Sequence, residues 1–188
     1  MDEKEKHTEH PEKPIAKAGQ TDKWYAVYTR PRAEKLVYQR LVEAGIETFL
    51  PLQKTLRVWS DRKKMVERPL LASYIFVHTN SHHFPVVYKT DGVVKFVSIT
   101  GTPSPIPQNQ IDNLRLLINS DAELEVTGEK FEKGDFVEVT NGSLLGLTGE
   151  LISINGTKRV VVRIDKLKQN IVVSIPPPFL KKIKNPAL

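Results

Sequence analysis

With 188 residues, 39% of them apolar and 27% charged, and no apolar run near the ~20 residues that cross a bilayer, the chain is expected to be a cytoplasmic, globular, monomeric protein of one or two small domains. The absence of cysteine removes disulfides, thiolate metal sites and thiol nucleophiles together. The net charge of +6 is uneven, with −1 on residues 1–23, +6 on residues 24–120 and +1 on residues 121–188, so a polyanion would be drawn to the middle segment, although a solvated basic surface would carry the same signature.

Residues 1–22 are charged, contain proline and lack apolar periodicity, which predicts a disordered tail. The tail has no secretory apolar core, and His7 and His10 have no ordered scaffold on which to hold a metal. In "WYAVYT", Trp24, Ala26 and Tyr28 alternate with Tyr25, Val27 and Thr29, a strand with bulk on both faces. "RPRAEKLVYQRLVEAG" then reads as a helix from Pro31, with Ala33, Leu36, Val37, Leu41 and Ala44 on one stripe and Gly45 as its cap. Arg32, Lys35, Gln39 and Arg40 fall on or beside its exposed side.

"IETFLP", "QKTLRVW", the polar turn "SDRKK", "MVERP" and "LLASYIFVHT" predict two strands, a basic hairpin tip and a central strand. "HHFPVVYKT" predicts a short helix near Pro85, "DGVVKFVSI" a turn and a strand, and "IPQNQIDNLRLLINS" a last helix with Ile111, Leu114, Leu117 and Ile118 on one face. This order predicts an α+β fold, a mostly antiparallel sheet with its helices segregated to one side. The opposite face would be left open, with Trp24, Tyr28, Tyr74 and Phe76 in matching parity upon it.

Residues 120–130, "SDAELEVTGEK", are acidic and read as a linker. Beyond them "DFVEVT", "GELISI", "RVVVRI" and "NIVVSI" give about five short strands in ~55 residues, too few to bury much as an open sheet, so closure into a small SH3-like barrel is expected. Asn155-Gly156 is a hairpin signal, and Gly134, Gly142, Gly146 and Gly149 serve the tight turns and close approaches of such a barrel.

These residues resemble a known family. "FEKGDFVEVTNGSLLGLTGELISI" is similar to the KOW motif, with its characteristic glycine at Gly149, while "WYAVYTRPRAEK", "FLPL", "LLASYIFV" and "GVVKFVSITGTPSPIP" resemble the amino-terminal (NGN) domain of NusG-family transcription elongation and antitermination factors. The likeness implies a tail at 1–22, an NGN domain at 23–119, a linker at 120–130 and a KOW domain at 131–184. "WYAVYTRPRAEKLVYQRL" and "PLLASYIFV" look most like specialised RfaH- and UpxY-type paralogues of surface-polysaccharide operons.

The resemblance implies a non-enzymatic factor that suppresses pausing or termination. Its apolar patch for the clamp helices of the RNA polymerase largest subunit would comprise Tyr28, Leu71, Tyr74, Phe76, Ile99 and Ile111. It places non-template DNA along Arg30, Arg32, Lys35 and Arg40, with the hairpin tip Arg62, Lys63 and Lys64 adding attraction. His83 matches the histidine of a second polymerase contact, without the threonines that accompany it elsewhere. Leu144 falls where the family presents an apolar side chain to a small-subunit ribosomal protein or Rho. The β-branched "RVVVRI" and "NIVVSI" predict a carboxy-terminal module that stays β rather than switching to helices.

Two rivals keep the fold and change the partner: stacking of single-stranded RNA on Tyr28, Tyr74 and Phe76, or a ribosome-associated KOW protein. Catalysis, a cofactor and a metal are not expected, because no phosphate-binding glycine loop, nucleophile motif or metal-spaced His and acid set is present. The adjacent His82 and His83 have no carboxylate or cysteine set beside them in the sequence.

Overall fold

The computed structural model describes residues 21–58, 63–129, 134–154 and 157–184. Residues 1–20 of the expected 1–22 tail, Arg62 of the hairpin tip and the Asn155-Gly156 turn lie outside the described residues, as does the side chain of Lys63.

The first half of the chain runs β1 (Lys23–Thr29), α1 (Glu34–Glu43), β2 (Glu47–Phe49), β3 (Leu52–Val58), β4 (Lys63–Pro69), β5 (Tyr74–Thr79), α2 (Phe84–Lys89), β6 (Val93–Phe96), β7 (Ser98–Ile99), β8 (Thr102–Pro103), β9 (Pro105–Ile106) and α3 (Gln108–Ile118). Strands β2, β5, β1 and β6 lie side by side, and β9 extends the sheet along β1. The pairs are antiparallel, with Trp24 opposite His78, Ala26 opposite Phe76 and Tyr28 opposite Tyr74. Strands β3 and β4 form a separate two-stranded ribbon, and β7 pairs with β8.

Alternation sorts the sheet into two faces. Val27, Ile75 and Val77 share one cluster with Val37 and Leu41 of α1 and Val87 of α2. Trp24, Ala26 and Phe76 share another with Ile111, Leu114 and Leu117 of α3. The α+β class and the predicted parity hold, but the helices divide: α1 and α2 cover one face, and α3 takes the face expected to be open. Helix α1 begins at Glu34 rather than at Pro31, because Arg32 has a left-handed backbone (φ 66°) that no helix accommodates. Leu36, assigned to the buried stripe, lies about 100° round the helix from Val37 and is exposed.

The second half contains β10 (Leu124–Thr127), β11 (Asp135–Val139), β12 (Thr148–Ile154), β13 (Thr157–Ile164), β14 (Gln169–Val173) and β15 (Leu180–Lys182), in the order β10-β14-β13-β12-β11-β15. Side chains from β11, near one end, and β14, near the other, meet in the same cluster, so the antiparallel sheet curls into a barrel-like module. Strand β10 arises from the segment read as a linker. Its acidic composition hid an alternation in which Leu124 and Val126 pack on the core while Glu125 turns outward and pairs with Arg159 at 3.2 Å.

Gly149 shows why a small curled sheet needs glycine. It pairs with Val137 on β11, and a Cβ there would lie 2.7 Å from both the Val161 carbonyl oxygen and Val160 Cγ1. Beneath the module's outer face, Arg163 grips Glu150 with two bonds of 2.8 Å, and this hydrogen bond raises the guanidinium pKa above its usual value. Among the described residues no helix is long and apolar enough to cross a membrane.

Replacing Gly149 by alanine pushes a methyl group into backbone. A stability loss of about 1–3 kcal/mol is expected from such overpacking, measured as a lowered denaturation midpoint with an unchanged first-half spectrum. A midpoint equal to that of the unaltered protein would contradict it.

Candidate docking face and basic surface

The six residues assigned to an apolar docking patch divide by exposure. Tyr28 and Tyr74 are half-buried neighbours whose rings meet edge to face with centroids 5.3 Å apart. Ile99 is 50% exposed, beside a tight turn formed by Thr100 and Gly101, both with positive φ. Phe76 and Ile111 are 0% exposed and Leu71 1%. The expectation of an uncovered wall is therefore corrected, because α3 and the carboxy-terminal module close over it.

Helix α3 is held on two opposite sides. Toward the sheet, the Trp24 indole donates to Gln108 Oε1 at 3.0 Å, and the Arg115 guanidinium lies 5.4 Å from the ring centres of both Trp24 and Phe49. His78 stacks on Trp24 at 5.0 Å, its Nδ1 2.7 Å from the Glu47 carboxylate. Toward the module, Asn113 Nδ2 donates to the Thr148 carbonyl at 2.9 Å, and Asn113 Oδ1 accepts from the Thr148 N–H at 3.2 Å. One apolar cluster runs from Trp24 and Phe76 through Leu114 and Leu117 to Leu147, Val160 and Val162. Leu144 belongs to it and is 6% exposed, whereas its neighbour Leu145 is 60% exposed. The leucine presented by that turn is thus Leu145, a correction to the expected one.

The basic residues also behave unequally. Arg30 and Arg40 converge on Asp91, at 3.1 and 2.8 Å, although 61 and 51 positions separate them from it in the chain. Arg32 and Lys35 are exposed and have no ion-pair partner among the described residues. Lys35 lines a trough of about 550 Å³ with Lys54, Lys64, Met65, Glu67 and Arg68 of the β3–β4 ribbon. Lys54 and Arg68 escaped the sequence reading, although their alternation along two paired strands could have signalled them. His83 is exposed just before α2.

Glu34 was also missed. It is buried, and its Oε1 accepts the Ser73 N–H at 2.7 Å, tying α1 to the left-handed turn that leads into Tyr74. Among the described residues no group of three His, Cys, Asp or Glu side chains could hold a metal ion.

The fold is thus that of a two-part protein, a mixed α+β sheet joined through α3 to a curled β module. Residues 22–115 match the family described as transcription termination factor nusG. Over 149 residues the chain is 26% identical to the transcription termination/antitermination protein NusG of Rickettsia bellii, covering 73% of this chain and 77% of that one. Over 156 residues it is 27% identical to the corresponding protein of Chlamydia trachomatis, covering 76% and 85%. A solved structure titled "Domain interaction in Thermotoga maritima NusG" superposes with a TM-score of 0.50 at 22% identity, over 87% of this chain and 98% of that one, and this shows the shared fold. The chain belongs to the NusG family and is a NusG-like transcription termination/antitermination factor.

Two outcomes follow from the geometry. Asp91→Asn removes the carboxylate shared by Arg30 and Arg40, and because such exposed pairs contribute under about 1 kcal/mol the denaturation midpoint should fall only slightly; a loss of several kcal/mol would contradict it. Burial, and then the neighbouring Tyr28, raises the Tyr74 phenol pKa. Its contribution to stability is therefore full below the ordinary tyrosine value of about 10 and lost as pH rises through the higher folded value. Tyr74→Phe should show a smaller alkaline loss of stability in denaturant titrations at pH 9 and 11.

Proposed function

We propose that this chain rides on transcribing RNA polymerase, docking the clamp helices of its largest subunit through the α3 side of the amino-terminal sheet and suppressing pausing or termination. The observation that supports the reading is the half-exposed Tyr28–Tyr74 pair, with Tyr74 packed against the large apolar cluster, within the segment that matches the family. Tyrosine is among the residue types enriched at the anchoring positions of protein interfaces. Ile99 extends the rim, while Leu71, Phe76 and Ile111, buried between the sheet and α3, support it from beneath.

Non-template DNA would track Arg32 and Lys35 toward Lys54, Lys64 and Arg68, with Arg30 and Arg40 partly neutralised by Asp91. The hairpin tip Arg62 and Lys63 would extend that path, and His83 would supply the second polymerase contact. The turn carrying Leu144 and Leu145 would face a small-subunit ribosomal protein or Rho. An operon-specific role of the RfaH or UpxY kind rests on "WYAVYTRPRAEKLVYQRL" and "PLLASYIFV", and the protein would act in the cytoplasm as a monomer.

Base stacking by single-stranded RNA is less well supported. It needs open ring faces, whereas Phe76 is fully buried and Tyr28 and Tyr74 are packed on one another.

Alanine at both Tyr28 and Tyr74 should weaken binding to core polymerase about thirtyfold, the scale of an aromatic anchor, and restore pausing in a single-round transcription assay. Free RNA binding should stay unchanged. Retained polymerase binding with lost RNA binding would favour the stacking reading.

A further inference from the structure

We propose that a cleft between α1 and the β2–β3 segment, together with the basic trough beside it, binds a free guanine nucleotide, with the base in the cleft and the phosphates in the trough. The binding does not rest on the polymerase-docking reading. Its overlap with the trough assigned above to DNA makes the two ligands competitors, a consequence that rests on that assignment.

The two hollows are contiguous. The cleft, of about 350 Å³, is lined by Tyr38 and Gln39 of α1, by Thr48, Leu50 and Leu52, and by Glu67 of β4. Lys35 and Glu67 line both it and the trough of about 550 Å³, and volumes of this size suit a small ligand. The Phe49 ring is engaged on the other face with Trp24 and Arg115, so Tyr38, exposed on α1, is the ring that a base would meet.

The polar groups here are uncommitted. Among the described residues, none of Lys35, Lys54, Lys64, Arg68, Gln39 and Glu67 is ion-paired or hydrogen-bonded through its side chain to another, unlike Arg30 and Arg40, which Asp91 gathers.

A carboxylate among four cations is the feature that points to a base. Glu67 repels phosphate, so a site for phosphate alone gains nothing from it. Guanine is the base whose pairing edge carries two adjacent donors, the N1–H and the N2 amino group. An ionised carboxylate, with two acceptor oxygens and no donor, matches that pair. Adenine and cytosine set an acceptor beside their amino group and would turn a lone pair toward Glu67. Gln39 supplies an amide for the O6 carbonyl, and Tyr38 a stacking surface. A nucleic-acid strand carries one phosphate per nucleotide, whereas four cations round one hollow match phosphates joined directly to one another.

Titration calorimetry of the full chain with GDP, ADP and guanosine, in magnesium-free buffer, tests the site. GDP should bind about tenfold tighter than ADP, the scale of one bidentate base contact, and tighter than guanosine. Glu67→Gln should abolish the preference for GDP over ADP. Lys35→Gln with Lys54→Gln should weaken GDP about tenfold, at least the scale of one charge-assisted contact per lysine, and leave guanosine unchanged. Tyr38→Ala should weaken both nucleotides about tenfold, and Tyr38→Phe should restore them. These side chains are exposed, so denaturation midpoints should stay unchanged, and Lys95→Gln on exposed β6 should alter nothing. Equal affinity for GDP and ADP, or no binding of GDP, would overturn the site. Single-stranded DNA that needs Glu67 and a guanine, where GDP fails to bind, would overturn the free ligand in favour of nucleic acid. GDP that binds with the expected variant pattern but does not displace single-stranded DNA would support the site and refute the DNA path through the trough.

Discussion

The arrangement of this protein depends on one short helix buried on two opposite sides. A helix with 3.6 residues per turn can place Gln108, Ile111 and Arg115 along one side and Gln110, Asn113 and Leu117 along another. In α3 the first set engages Trp24, Phe49 and the sheet cluster, and the second meets Thr148, Asp165 and the curled module. Asn113 can stand in the buried stripe only because its amide finds a backbone N–H and C=O of matching direction. Remove that match and α3 keeps its place on the sheet but loses the polar register that ties it to the curled module.

Charge is organised by the same logic of convergence. Asp91 draws together Arg30 and Arg40, and exposed pairs of this kind add little to stability. Their effect is to redistribute potential, taking positive charge from one side of α1 and leaving Lys35, Lys54, Lys64 and Arg68 as the basic trough. Glu34 does the opposite work in the interior, where its carboxylate satisfies the Ser73 N–H and fixes the turn from which Tyr74 emerges. Aromatic rim and basic trough are thus both set by contacts between residues far apart in sequence.

Much of this was legible in the chain itself. Parity alone placed Trp24, Ala26 and Tyr28 opposite Val27, and Gly45 marked the end of α1, where its φ is 77°. Gly149 was singled out as a motif glycine, and the space around it explains why. What periodicity could not reveal was the helix side chosen by α3, the strand hidden in "ELEVTG", or the inward turn of Leu144. Each is decided by a surface contributed by another element. The acidic residues of β10 disguised a strand because one face of it is solvated, and composition averages over both faces.

The amino-acid sequence by itself determined the local elements, the two-part β-rich architecture and the kinship with NusG proteins, since these follow from periodicity, turn chemistry and motif order. Only the tertiary structure decided which of the apolar residues remain accessible. Exposure is a property of what packs against a face, and here α3 and the carboxy-terminal module come to rest on rings that their own strands leave bare.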